Sequence, residues 1–242
     1  MRNLSFDQNM KNDMERNILL FDLDGTLIDS KRTIAMYFVR TLDQLKISHR
    51  ITEKKVAENL ENSFEDINRE FELNMNEKEF KIFVDTYRKN YLKDPLPGTK
   101  IYPWVKSTLA TLKKRNFKIA LATGKQIEVA QTSLKDMKLD QYFDHIQGWE
   151  PGLKAKPEPD ILQRAVKKIS GNEQNAVMIG DTYVDIQAGQ AMGIPTIAVL
   201  YGFGQRKTLK KYSPDYFMNS FNELPGILES INKKSGSARR KK

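Results

Sequence analysis

Ile18-Leu19-Leu20-Phe21-Asp22-Leu23-Asp24-Gly25-Thr26-Leu27 is an apolar run that ends in two carboxylates, one residue apart, followed by Gly-Thr. The run from Ile18 to Leu23 has the length and residue types of a buried strand. An alternating strand puts Asp22 and Asp24 on one face. Gly25 lets the chain turn and brings backbone N–H groups towards an anion. Asp-x-Asp alone is common in turns and cation loops. After a buried strand and before Gly-Thr, it marks a functional loop.

Working outward, further short β-like runs lie at Phe117 to Ala122, Ala176 to Gly180 and Thr196 to Leu200, with helical periodicity between them. This alternation predicts an α/β fold, a Rossmann-like parallel sheet with helices on both faces. Ligands of such sheets bind beyond the carboxyl ends of the strands. Between Ser30 and about Leu96 no β-like run interrupts the helical spacing. Ile34, Phe38, Leu42 and Leu45 form one stripe; Val56, Leu60, Phe64, Ile67 and Phe71 a second; Phe80, Phe83, Val84, Tyr87 and Tyr91 a third. These stripes read as helix packing within an inserted all-helical unit. Asp94-Pro-Leu-Pro-Gly98 supplies the return hinge. The expected division is an α/β core over 17–29 and 97–232, the helical insertion at 30–96, a flexible extension at 1–16 and a basic disordered tail at 233–242.

Three further polar motifs follow, two of them at or just beyond strand ends. Leu121-Ala122 leads into Thr123-Gly124-Lys125, Lys156 precedes Pro157-Glu158-Pro159, and Ile179-Gly180 leads into Asp181, Thr182 and Asp185. Together they suit attack on a phosphoryl group, which needs an oxygen nucleophile and neutralisation of charge on the phosphoryl oxygens. Asp22 can be phosphorylated transiently, dividing hydrolysis into two easier steps. Asp24 can protonate the leaving oxygen and then take a proton from water. The Thr123 hydroxyl and the Gly124 N–H are donors for phosphate, and Gly25 and Thr26 are the other expected substrate-binding positions. Lys156 supplies a fixed positive charge, with Lys154 its rival for that part. Asp181 and Asp185 complete a group of four carboxylates that repel one another unless a cation sits among them. Oxygen-only ligands favour Mg²⁺.

These four motifs, in this order between Ile18 and Gly204, resemble those of the haloacid dehalogenase superfamily of phosphohydrolases. The resemblance implies a Mg²⁺ ion held by the Asp22 side chain, the Asp24 backbone carbonyl and Asp181, with Asp185 in support. It also implies that 30–96 is a helical cap closing over the active site, as in the phosphoglycolate phosphatase group. Gly124 departs from the pattern, which often has Asn after the hydroxyl residue. The expected activity is hydrolysis of a small phosphorylated metabolite. A phosphosugar mutase would use the same core motifs, although Thr26 favours hydrolysis. A regulatory protein that kept the fold without turnover is a third reading.

Composition narrows the class further. At 242 residues, 39% hydrophobic and 29% charged, the chain supports a sizeable core. It contains no cysteine, which excludes disulfides and thiolate metal sites. Residues 1–17 lack the apolar run of a secretory signal and no segment has the length of a membrane span, so a cytoplasmic protein is expected. The net charge is +9. The last ten residues, KKSGSARRKK, carry six of the positive charges. That end reads chiefly as a solvated tail; contact with nucleic acid or an anionic surface is the subsidiary expectation.

Overall fold

The computed structural model describes residues 16–94 and 97–239, with side chains through Lys234. Its centre is a six-stranded sheet built from β1 (Ile18–Phe21), β4 (Lys118–Gln126), β5 (His145–Trp149), β6 (Ala176–Gly180), β7 (Thr196–Val199) and β8 (Tyr216–Met218). The order is β5-β4-β1-β6-β7-β8 and every pairing is parallel. β1 is central because it is buried on both faces. Leu19 and Phe21 join one apolar layer with Ile119, Leu121, Val177 and Ile179; Ile18 and Leu20 join the other with Ala120, Ala122 and Met178. The chain leaves β1 towards β4 on one side and later returns to β6 on the other, so the crevice beyond β1 is a topological switch point.

Helices cover the sheet: α5 (Val105–Lys114), α6 (Ile127–Asp136), α7 (Asp160–Lys168), α8 (Tyr183–Ala191), α9 (Arg206–Lys211) and α10 (Leu224–Arg239). The insertion holds α1 (Lys31–Gln44), α2 (Glu53–Glu58), α3 (Phe64–Glu70) and α4 (Glu77–Lys93). Its starts are written locally. Ser63 and Asp66, and Asn76 and Glu79, form reciprocal capping boxes, and Thr52 caps α2. Phe38, Phe64 and Phe83 meet edge-on with centroids 4.8–6.2 Å apart, centring an apolar cluster separate from those of the sheet. A two-stranded antiparallel ribbon, β2 (Ile28–Asp29) with β3 (Lys100–Ile101), ties the two crossings into the insertion together. Above it, Thr33 donates to the Pro97 carbonyl and Tyr37 to the Asp94 carbonyl.

Several expectations need correction. The first strand ends at Phe21, and Asp24 lies in a turn closed by Leu27 N–H and Ile28 N–H on the Leu23 carbonyl. The expected second stripe is two helices, because the Ser63 cap restarts the chain after Asn59. The chain from Lys233 to Arg239 continues α10, where a disordered tail is expected. Leu224, Leu228 and Ile231 dock the helix at i, i+4 and i+7, and each later residue adds one backbone bond to an existing nucleus. The extension at 1–15, the hinge residues Pro95 and Leu96, and the tail end at 240–242 lie outside the described residues.

Candidate active site

The carboxyl ends of β1, β4 and β6 converge on one cavity of about 390 Å³. Asp22 follows β1, Thr123 and Gly124 lie in the last part of β4, and Asp181 follows β6. Asp22 is anchored by its own N–H on the Ile179 carbonyl, 3.0 Å away. Lys156 reaches in from the loop before α7. Its Nζ lies 2.7 Å from Asp22 Oδ1 and 3.1 Å from the Ala122 carbonyl, and it also contacts Asp185 Oδ1. Lys154 is exposed and makes a backbone contact to Asp160 instead, which separates the two rival lysines.

Asp181 and Asp185 form the floor. Asp181 Oδ1 accepts from the Thr26 hydroxyl at 3.1 Å and Oδ2 from the Phe203 N–H at 2.7 Å. Asp185 Oδ2 accepts from the Thr182 N–H and hydroxyl at the start of α8, which buries a first-turn acid at 1% exposure. Oxygens of Asp22, Asp181 and Asp185 all lie within 4.8 Å of one another.

Burial dominates the electrostatics. It pushes the Asp22 carboxyl up from 3.8 to about 7, against the pull of Lys156 and with reinforcement from Asp185 and Asp24. Burial, then Asp185 and Asp22, holds Asp181 well above the usual carboxylate range. Burial alone would lower Lys156, but Asp185 and Asp22 outweigh it and raise the ammonium, which stays charged. One buried ammonium therefore pairs with two of the three clustered carboxyl groups. An all-oxygen, electron-rich cluster of this kind fits a hard cation.

Not every expected residue reaches the cavity. Asp22, Asp24, Thr123, Gly124 and Lys156 line it, with Asp181 and Asp185 behind them. Gly25 and Thr26, expected at the substrate, do not. The Gly25 N–H is spent on the Ile28 carbonyl at 2.8 Å, and Thr26 is fully buried with its hydroxyl on Asp181. Both hold the floor together. Gly202 does the same from the opposite side, since a Cβ there would meet Gly25 O and Asp181 Cβ at 2.4 Å.

Other lining residues escaped the sequence reading. Lys125 Nζ sits 2.7 Å from Asp24 Oδ2 and 4.1 Å from the centre of the Tyr91 ring, while Ser30 Oγ donates to the same carboxylate. Its place two residues after Thr123 was the available signal. The insertion contributes Leu60, Phe64, Val84, Tyr87, Arg88 and Tyr91, so part of the third stripe faces the cavity besides packing helices. Arg40, His49, Arg50 and Arg69 do not line it. The insertion touches the core again where Glu61 accepts from the Gln205 N–H at 3.0 Å.

A parallel sheet with an acidic floor, a buried lysine and a helical insertion beside its switch point is an α/β architecture of hydrolase type. The chain belongs to the haloacid dehalogenase-like hydrolase family, whose profile matches residues 19–199. It is 31% identical to the pyrophosphatase PpaX of Bacillus mycoides (strain KBAB4), over 90% of this chain and 100% of that protein. It is 30% identical to a phosphoglycolate phosphatase of Aquifex aeolicus (strain VF5), over 88% of this chain and 97% of that one. Among solved structures, one described as a predicted phosphatase from Clostridium acetobutylicum superposes with a TM-score of 0.77 at 29% identity, covering 88% of this chain and 98% of the other.

Proposed function

We propose that this chain is a Mg²⁺-dependent phosphatase of small, compact phosphorylated metabolites, working through a phosphorylated Asp22. The observation that carries the reading is Lys156 Nζ at 2.7 Å from Asp22 Oδ1, beside the Thr123–Gly124 end of the neighbouring strand. A phosphoryl group placed there meets a carboxylate nucleophile, an ammonium, a hydroxyl and a backbone N–H together.

In the first step an Asp22 oxygen bonds to phosphorus, the bond to the leaving oxygen breaks, and Asp24 gives that oxygen a proton. In the second step Asp24 takes a proton from water, which attacks the phosphoryl group and frees Asp22 and inorganic phosphate. Lys156 balances the growing charge on the phosphoryl oxygens throughout. Mg²⁺, held by Asp22, the Asp24 carbonyl and Asp181, would neutralise phosphoryl charge when bound. Asp185 keeps Lys156 aimed, and the insertion acts as a lid that excludes water from the loaded site. Among the described residues no helix is long and apolar enough to cross a membrane.

The test is Asp22→Asn, which keeps the side-chain shape and removes the nucleophile. Phosphate release from pyrophosphate, phosphoglycolate and sugar phosphates should fall by well over tenfold, a barrier increase above ~1.4 kcal/mol, with an unchanged circular dichroism spectrum. Chelation of the metal should abolish wild-type release. Retention of more than about a tenth of the rate would remove Asp22 from the nucleophile's place. Conversion of a sugar phosphate into its isomer without free phosphate would make the protein a mutase.

A further inference from the structure

We propose that Arg88 is a specificity-determining residue whose guanidinium reads a second anionic group, carboxylate or phosphoryl, on the substrate; this rests on the phosphatase reading of the cavity. Three cations line that cavity, and two are already matched. Lys156 is held by Asp22 and Asp185, and Lys125 by Asp24. Among the described residues, no carboxylate lies within ion-pairing distance of Arg88. Glu150, next in sequence to its aromatic partner, is taken by Arg164 at 3.4 Å, and the remaining rim acid, Glu65, is exposed on α3.

Arg88 is nevertheless held in place. It crosses from α4 of the insertion to the core, where its guanidinium lies over the Trp149 ring at 4.5 Å from the centroid. Trp149 is fixed in turn at the end of β5, where its Nε1–H donates to the Leu153 carbonyl at 3.0 Å. Among the described residues the N–H donors of the Arg88 guanidinium have no hydrogen-bond or ion-pair partner, so a cation held over the ring can still offer the fork that matches a carboxylate or phosphoryl group. Leu60, Phe64, Val84 and Tyr87 line the same cavity, so its insertion side is largely apolar around this one cation. The phosphoryl end is bound on the core side, by Lys156, Thr123 and Gly124. The unmatched charge is on the lid side. A compact molecule with an anion at each end satisfies both, and a cavity of about 390 Å³ suits a small compound of that kind.

The experiment compares kcat/KM for pyrophosphate, phosphoglycolate and p-nitrophenyl phosphate, which has no second anion, in wild type, Arg88→Gln and Arg88→Lys. Arg88→Gln should lower kcat/KM for the first two by roughly 10- to 100-fold, the worth of a charge-assisted hydrogen bond, and for p-nitrophenyl phosphate by less than about threefold. Arg88→Lys should fall between, keeping charge without the fork. Whichever of the two natural compounds loses more identifies the second group as phosphoryl or carboxylate. Equal losses on all three substrates would make Arg88 a structural strut on Trp149 and overturn the proposal, as would no loss. Calorimetry with non-hydrolysable methylenediphosphonate and methylphosphonate provides an arm independent of turnover. Wild type should prefer the former, and Arg88→Gln should lose that preference. Absence of phosphate release from every substrate would sink the phosphatase reading, whereas an unchanged calorimetric preference would sink the role of Arg88.

Discussion

At Gly25 the backbone has φ +83°, and a Cβ built there meets Asp181 Oδ2 at 2.1 Å. Gly25→Ala therefore adds a clash with the acidic floor to the ordinary strain of positive φ. Gly152, at φ +95° with nothing within 4 Å of its Cβ, isolates the strain alone. Gly152→Ala should cost about 1 kcal/mol in urea unfolding. Gly25→Ala should cost at least ~2 kcal/mol and raise the Mg²⁺ concentration needed for activity, because Asp181 must move. Matching losses from the two substitutions, with no change in metal requirement, would show that the floor can yield. Residues whose chemistry is tied to a strand end were legible in the sequence: Asp22, Asp24, Thr123, Gly124 and Asp181 arrive together because β1, β4 and β6 are adjacent and parallel. Thr26 was misplaced because a hydroxyl's capacity to bind phosphate does not say which acceptor claims it. Lys125 was legible only as a neighbour of Thr123 and Arg88 not at all, since the contacts that place them, with Asp24 and Trp149, reach about 101 and 61 positions along the chain.

Elements were legible where burial was two-sided. The four strands read from the sequence are the four inner ones, whose apolar runs are nearly continuous. The edge strands were missed: β5 carries His145 and Gln147, and β8 has only three residues, so neither presents a strong period. The two-residue strands β2 and β3 fall below any sequence signal, yet they form the base on which the insertion stands. The insertion's own cluster around Phe38 makes it a separate layer of packing. Phe38→Ala removes a fully buried ring that meets Phe64 and Phe83 edge-on, at a cost of about 3–5 kcal/mol. Hydrogen exchange should then quicken across α1 to α4 while amides of β1, β4 and β6 keep their protection. Selectivity among phosphorylated substrates should fall more than the rate on p-nitrophenyl phosphate. Simultaneous loss of protection in lid and sheet would mean that the two unfold as one unit.

For the whole molecule, the charge of +9 says little about the site, because much of the excess sits near the carboxyl end and the cavity floor is acidic. The buried carboxyl groups of the floor make stability depend on pH. Asp22, at about 7 in the folded protein against 3.8 ordinarily, keeps a proton that the unfolded chain has lost across that interval. The folded state binds more protons there, so this group's contribution falls as pH rises from about 4 through about 7. Asp181, also raised, acts in the same direction. The raised Lys156 contributes fully below its ordinary 10.5 and is constant over the same range. Asp66, held low chiefly by its hydrogen bond from Ser63, contributes oppositely at acid pH, so the absolute midpoint mixes several groups. On the proposed metal assignment, the increment on adding Mg²⁺ isolates the cluster, because an ion bound there would compete with the protons on Asp22 and Asp181. The gain in Tm from saturating Mg²⁺ should be small near pH ~5 and grow through pH ~7. EDTA should reverse it, and Asp181→Asn should shrink it at every pH. An increment that is flat with pH would place the ion away from these carboxylates, and one that shrinks as pH rises would contradict the raised affinity of Asp22 and Asp181 for protons.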